Sequence, residues 1–179
     1  IFSDSLKLKK PINCLINNAG IRFRKSFSKV SKKEILNVFN INFFSIFFIC
    51  QSFSKFLVKR NLPGSVVNIS SIVGQTGFNE LSAYGSSKGA LIALTKNLST
   101  ELASKKIRVN SISPGFTKTS FFKKFKKKTK LYKWTLSRIP SNRWGEAEEI
   151  CNMISFLLSD KSNYITGENH NVDGGWLSS

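Results

Sequence analysis

Residues 65–112 read SVVNISSIVGQTGFNELSAYGSSKGALIALTKNLSTELASKKIRVNSI, and the order of patterns in this stretch decides the fold class. Ser65-Val-Val-Asn-Ile69 is a short apolar run, and Ser70 to Glu80 is a loop punctuated by glycine. Ile107-Arg-Val-Asn-Ser-Ile112 is a second apolar run, closed by Pro114-Gly115. Between the two runs a helix opens at Ser82 or Ala83 and continues to about Ser104, with Ala90, Leu91, Leu94, Leu98 and Leu102 on one face. Short runs that are apolar throughout fit strands covered on both faces, and two strands joined through a helix pair in parallel. The stretch reads as a βαβ unit.

The same alternation continues outward. Upstream, Pro11-Ile-Asn-Cys-Leu-Ile16 is an apolar run closed by Asn17-Asn18-Ala19-Gly20, a strand ending in a turn. Ser31 with Glu34 three residues later makes a capping box, and Ile35, Val38, Phe39, Phe43, Ile46 and Phe47 follow at helical spacing to about Arg60. Pro63-Gly64 turns the chain into the Ser65 strand. Downstream, residues 116–140 are strongly basic and weakly periodic, which predicts short helices in a mobile excursion. Glu146 to Leu158 reads as a helix with acid at its N-terminal turn, and Asn169 to Val172 as a last strand before Asp173-Gly174-Gly175. The pattern predicts one α/β domain over residues 1–179, a parallel sheet with helices packed on it, and no internal repeat.

Composition narrows the function classes. The chain has 179 residues, 41% of them hydrophobic, which excludes a disordered chain. Ile41 to Val58 is the most apolar run, yet six polar residues interrupt it, so no membrane span is expected. Cys14, Cys50 and Cys151 lack a Cys-x-x-Cys spacing, and the lone His170 cannot complete a zinc site with them. They read as three reduced core thiols, with no metal, and His170 as a strand or interface residue. The net charge of +18 comes from lysine spread along the whole chain, a compositional bias, and does not by itself call for nucleic acid.

One constellation carries chemistry. Tyr84 and Lys88 stand at i and i+4 of one helix, so an ammonium can lie near a phenol. A nearby cation favours phenolate, which lowers a pKa ordinarily about 10 toward the range useful for proton transfer. Ser71, at the end of the adjacent strand, can reach the same point and donate to a carbonyl. Ends of parallel strands are where α/β sheets form their ligand crevice.

Asn17-Asn18-Ala19-Gly20, Asn42, Asn68-Ile-Ser-Ser71, Tyr84-Gly-Ser-Ser-Lys88, Pro114-Gly115 and Val172-Asp-Gly-Gly175 follow one another in the order of one family. From Pro11 to Trp176 the chain resembles a short-chain dehydrogenase/reductase, and within that family most a 3-oxoacyl-acyl-carrier-protein reductase. The resemblance implies a Rossmann-like doubly wound sheet and an NADP- or NAD-dependent oxidoreductase, with NADP favoured. It makes Tyr84 the catalytic acid/base, Lys88 the residue that tunes it and bonds the nicotinamide ribose, and Ser71 the substrate-orienting hydroxyl. Asn42 becomes the helix asparagine whose backbone distortion holds a water of the proton relay. Asn18, Ala19 and Gly20 become cofactor contacts, as do Pro114, Gly115, Thr117 and Thr119 on the nicotinamide side. Asp173-Gly174-Gly175 becomes a turn used in subunit packing.

The family's opening Thr-Gly-x-x-x-Gly-x-Gly turn, which cradles the diphosphate, does not occur in the sequence. The resemblance therefore implies a C-terminal portion of the fold, with the first strands absent and an unpaired sheet edge at Ile16. Cofactor choice, which depends on the end of the second strand, is not legible. Residues 116–140 fall at the substrate lid, whose basic face with interleaved Phe fits an acidic carrier protein as well as a small-molecule substrate. Homotetramers or homodimers through the helices beginning near Ser31 and Ala83 are implied, in the cytoplasm, or in an organelle if a targeting segment lies upstream. A small-alcohol or sugar-alcohol dehydrogenase is the alternative within the family. A binding protein that kept only the scaffold, or an inactive fragment, is the alternative outside it.

Overall fold

The computed structural model describes residues 12–179, the side chains of Ser120, Phe121 and Lys124 excepted. Its strands are β1 (Cys14–Asn17), β2 (Gly64–Ile69), β3 (Ile107–Pro114), β4 (Thr117–Lys118), β5 (Gly145–Glu146) and β6 (Asn169–Val172). β1, β2, β3 and β6 form one parallel sheet in that order, while β4 and β5 pair separately. Ser65 lies between Cys14 and Arg108, and Ile112 between Ile69 and His170. The strand expected from Pro11 begins at Cys14, and Pro11 itself lies outside the described residues. Among the described residues β1 is the edge of the sheet, with Ile16 46% exposed.

Helices cover both faces, as a doubly wound sheet requires. On one face α1 (Lys32–Phe39), α2 (Ser45–Lys59) and α3 (Ser82–Leu102) pack, and Phe53, Leu57 and Leu91 meet Val66, Ile107 and Val109. On the other, α6 (Ala147–Leu158) sets Leu157 against Val67, Ile69 and Ile112. Successive residues Val66 and Val67 thus feed opposite cores, which is why β2 reads as a continuous apolar run. Full burial of each such side chain contributes about 1.5–3 kcal/mol.

The long helix expected after Ser31 is present with an interruption. Its capping box forms, Ser31 Oγ accepting from the Glu34 amide and Glu34 Oε2 accepting from the Ser31 amide. Between α1 and α2, Asn40–Phe44 widens into a π-helical turn that carries Asn42 inward, 0% exposed. By length and composition alone, the helical stretch Lys32–Lys59 is also long and apolar enough to cross a membrane. Here its Val38, Ile46, Phe53, Phe56 and Leu57 face is buried within the protein.

α3 lies unusually close to the loop that follows β2. A Cβ on Gly74 would stand 2.8 Å from the Lys88 carbonyl carbon, and one on Gly85 would stand 2.9 Å from the Val73 oxygen. Glycine at both positions lets loop and helix meet backbone to backbone, and this contact sets where Ser71 lies relative to Tyr84. The sequence showed these glycines only as loop punctuation.

Two expectations are corrected. Of the three cysteines only Cys50 is a core thiol, whereas Cys14, on the sheet edge, and Cys151, on the cleft side of α6, are exposed. Burial pushes the Cys50 thiol up to about 11. Among the described side chains, the basic segment does not present Phe and Lys together on its surface. Its helices α4 (Ser120–Lys126) and α5 (Thr129–Arg138) bury Phe125 and half-bury Phe122 in an aromatic cluster with Phe116, Trp144 and Trp176. Lys126, Lys127, Lys128, Lys130 and Lys133 remain outside. The aromatics are the segment's own core, because two short helices need one to dock.

Gly74→Val should lower stability by about 1–3 kcal/mol through forced overpacking, read as a lower urea midpoint at unchanged m-value.

Candidate active site

A cleft of about 920 Å³ opens at the carboxyl ends of β1, β2 and β3. Ser71, Tyr84 and Lys88 line one wall, with Pro114, Gly115, Thr117 and Thr119 beside them and Asn18, Gly20 and Arg22 across the end of β1. Ala19 is not part of the lining, although its neighbours on both sides are. Ile150, Cys151 and Ile154 of α6 close an apolar flank.

Each polar member is held by the backbone around it. Ser71, two residues past the end of β2, is extended, and its Oγ accepts from the Val73 amide at 3.2 Å, which caps a short turn. Ser70, buried, donates from Oγ to the Lys88 carbonyl at 2.9 Å. Lys88 is 4% exposed, and its Nζ donates to the Ile69 carbonyl at 2.6 Å, so one ammonium ties α3 to the end of β2. Burial draws the Lys88 pKa down to about 8. Tyr84 is held above the ordinary phenol value by burial, opposed by a hydrogen bond from Ser71 and by the charge of Arg22.

Asn42 stands behind this wall. Its Oδ1 accepts from the Ile21 amide at 2.8 Å, and its Nδ2 donates to the Ile21 carbonyl at 2.9 Å and to Ser87 Oγ at 3.1 Å. The side chain therefore joins the turn after β1 to α3. A Cβ on Gly20 would lie 3.2 Å from Asn42 Oδ1 and 3.6 Å from Lys88 Nζ, a tight fit against both groups. A second buried chain runs Asn17 Nδ2 to Asn68 Oδ1, 2.8 Å, and Asn68 Nδ2 to Thr95 Oγ1, 2.9 Å.

Gly115 is fixed from behind by the C-terminal turn, since a Cβ there would lie 2.6 Å from Asp173 Cα. Asp173 accepts from the Gly175 and Leu177 amides, and Gly174 and Gly175 take φ of +66° and +89°. The Asp-Gly-Gly turn thus buttresses the cleft loop. His170 sits on β6, half-buried, as a strand residue. Arg22 was missed by sequence reasoning, and its signal is an arginine directly after Asn-Asn-Ala-Gly-Ile.

A phenol, a hydroxyl and an amine gathered at the carboxyl ends of a doubly wound sheet define an α/β enzyme of the Rossmann-like class. Residues 1–177 match the sequence family described as enoyl-(acyl carrier protein) reductase. The chain is 42% identical over 167 residues to the 3-oxoacyl-acyl-carrier-protein reductase FabG of Buchnera aphidicola, covering 93% of this chain and 67% of that protein. It is 36% identical to carbonyl reductase (NADPH) 2 of Sus scrofa, covering 94% and 69%, and 35% identical to a 5-keto-D-gluconate 5-reductase of Escherichia coli, covering 93% and 65%. The chain thus spans about two thirds of the length of these relatives. Among solved structures, a putative 2-deoxy-D-gluconate 3-dehydrogenase of Agrobacterium tumefaciens with bound NADP superposes with TM-score 0.92 at 36% identity, covering 94% of this chain and 69% of that one. A gluconate 5-dehydrogenase of Burkholderia cenocepacia in complex with NADP and tartrate gives 0.93 at 26% identity, covering 99% and 69%. The chain belongs to the short-chain dehydrogenase/reductase family of NAD(P)-dependent oxidoreductases.

Because the folded Lys88 pKa, about 8, lies below the unfolded value of 10.5, the folded chain loses this proton first as pH rises. Between these two values the unfolded chain binds the extra proton, so stability rises with pH through that window. Urea unfolding should show the parent protein gaining up to about 3 kcal/mol on Lys88→Met from about pH 8 to 10.5; parallel curves would refute the assignment.

Proposed function

We propose that this chain carries the catalytic portion of an oxidoreductase that moves hydride between NAD(P) and a carbonyl or secondary alcohol. The observation that carries this reading is the meeting of Ser71, Tyr84 and Lys88 at one wall of the cleft, with Asn42 bracing it from behind. The bound nicotinamide supplies or accepts hydride. Ser71 donates to the substrate oxygen, and Tyr84 passes a proton to it as the alcohol forms or removes one in the reverse direction. Lys88 supplies a donor at the cofactor ribose and connects Tyr84 to a proton relay that continues past Asn42. Asn18, Ala19 and Gly20 line the cofactor's adenosine side, and Pro114, Gly115, Thr117 and Thr119 contact its nicotinamide half. The tight backbone at Gly20 and Gly115 fits that use, whereas the diphosphate cradle of the family has no counterpart in this sequence.

Residues 116–140 act as the substrate lid on this reading, seated on their aromatic cluster. A 3-oxoacyl thioester in fatty-acid synthesis is one substrate class, supported by the Buchnera relative and by the apolar flank of the cleft. Small sugar acids are the second class, supported by the gluconate-type relatives and by Arg22 in the lining. Exposed Phe44, Phe47, Phe48 and Ile49 on the long helix support a homodimer or homotetramer. Three free cysteines fit the cytoplasm.

NADPH and NADH oxidation with a 3-oxoacyl thioester and with 5-keto-D-gluconate, run on this chain and on the protein of its full reading frame, tests the activity and ranks the substrates. Tyr84→Phe should lower kcat by about 10²–10⁴-fold, the usual worth of general acid–base catalysis, with cofactor affinity nearly unchanged; undiminished turnover would remove Tyr84 from its role. Light scattering should return a dimer or tetramer mass, and Phe48→Glu should reduce it; an unchanged mass would place the interface elsewhere.

A further inference from the structure

Ser71 and Tyr84 are joined by one stretch of chain, residues 72–83, and the side chains that this stretch brings to the cleft are hydrocarbon. Ile72, Val73, Phe78 and Leu81 are its lining members, and none of its polar residues, Gln75, Thr76, Asn79, Glu80 and Ser82, is among them. Two of those polar groups are engaged with partners outside the lining. Gln75 Nε2 donates to Asn171 Oδ1 at 2.7 Å, and the Glu80 carboxylate pairs with Arg24 at 2.8 Å. The apolar wall is also held in place. The Lys25 amide donates to the Glu80 carbonyl at 2.9 Å, the Leu81 amide to the Phe78 carbonyl at 3.3 Å and the Gly85 amide to the Leu81 carbonyl at 2.7 Å. The Phe78 ring stacks on the buried Trp176, with centroids 5.7 Å and planes 20° apart, and meets Phe116 edge-on at 6.4 Å. A ring backed in this way is a fixed apolar surface, half-buried, with the cleft on its uncovered side.

We infer that Phe78, with Ile72, Val73 and Leu81, selects a carbonyl compound or secondary alcohol whose neighbouring group is neutral hydrocarbon, an alkyl chain or an aryl ring, over a polyhydroxylated one. This rests on the oxidoreductase reading above and decides between its substrate classes. The substrate oxygen, held by Ser71 and Tyr84, is the polar atom that this side of the cleft satisfies. Hydrocarbon carried beside that oxygen leaves water for an apolar surface, which favours binding. Hydroxyls carried there lose water and, among the described residues, gain no side-chain donor or acceptor from residues 72–83, which opposes binding. 5-Keto-D-gluconate has a hydroxyl on both carbons next to its carbonyl, whereas an alkyl or aryl ketone has none.

The test uses the enzyme of the full reading frame and two neutral ketones of one carbon skeleton, 2-hexanone and 1-deoxy-D-fructose, the ketose counted as its open-chain form. The parent should favour 2-hexanone in kcat/KM, and Phe78→Ala should lower that preference by about 10- to 100-fold, the span over which hydrocarbon contacts in a pocket discriminate substrates. Phe78→Leu, which returns hydrocarbon without the ring, should recover part of it. Val73→Thr keeps the shape of the wall and the packing of Phe78 on Trp176, adds one hydroxyl, and should lower the preference as well. A parent that favours 1-deoxy-D-fructose, or an equal loss on both ketones in Phe78→Ala and Val73→Thr, overturns the proposal. Calorimetric titration with hexanamide and D-gluconamide in the presence of NADP gives a readout that needs no turnover. Tighter binding of hexanamide, weakened by about 10-fold in Phe78→Ala, upholds the apolar wall even if the parent reduces neither ketone, in which case the oxidoreductase reading alone fails. D-gluconamide binding at least as tightly, no binding of either amide, or a hexanamide affinity that both variants leave unchanged sinks the wall's role.

Discussion

One buried amide organises the cleft face of this fold. Asn42 has no contact with water, so its amide oxygen and nitrogen must find partners inside, and it finds them on the turn after β1 and on α3. A regular α-helix packed on the sheet would keep its 3.6-residue cadence through this position; the π-helical turn at Asn40–Phe44 breaks that cadence where the asparagine is turned inward. Removing the amide would orphan the backbone N–H and C=O of Ile21 at once, a loss of about 1–3 kcal/mol for each buried group left unmade. The positions of Gly20 and Arg22 follow from this pair of bonds.

Electrostatics at the cleft rests on burial more than on pairing. Among the described residues Lys88 has no carboxylate partner; it is held by a carbonyl, and its depth draws its pKa down to about 8, within reach of proton exchange at physiological pH. Tyr84 is pushed the other way by the same burial, and the forces that oppose it come from Ser71 and Arg22. A group raised by burial and drawn back by a donor and a cation is sensitive to whatever anion or carbonyl enters beside it. That sensitivity is a property of the wall, assembled from three separate segments of chain.

Much of this was legible in the sequence, for identifiable reasons. Strands β2 and β3 were readable because burial on both faces makes them apolar throughout, and the start of α1 because a capping box is a local device written in two residues. Ser71, Tyr84 and Lys88 were readable because their spacing falls within an ordered series of motifs that resembles one family, the spacing alone being common on helices. What stayed hidden depends on packing between distant segments. Nothing local distinguishes Cys50 from Cys14 or Cys151, since depth in the fold separates them. The inward turn of Phe125 and the engagement of Gly74 with the α3 backbone are tertiary facts of the same kind. Arg22 was overlooked because it belongs to no periodic face and gains its meaning only from the groups across the cleft.

The aromatic cluster under residues 116–140 joins two regions that a ligand would affect together. The Phe116 ring lies 5.1 Å from Trp144 and 5.0 Å from Trp176, and Phe116 itself follows Gly115 in the cleft wall. Two of the three indoles in the chain are thereby coupled through one ring to the place where a nicotinamide and its substrate would press. A ligand that displaces Phe116 should change the packing of both buried indoles, whose emission responds to small changes in packing, so tryptophan fluorescence is an optical gauge of whether the site is filled.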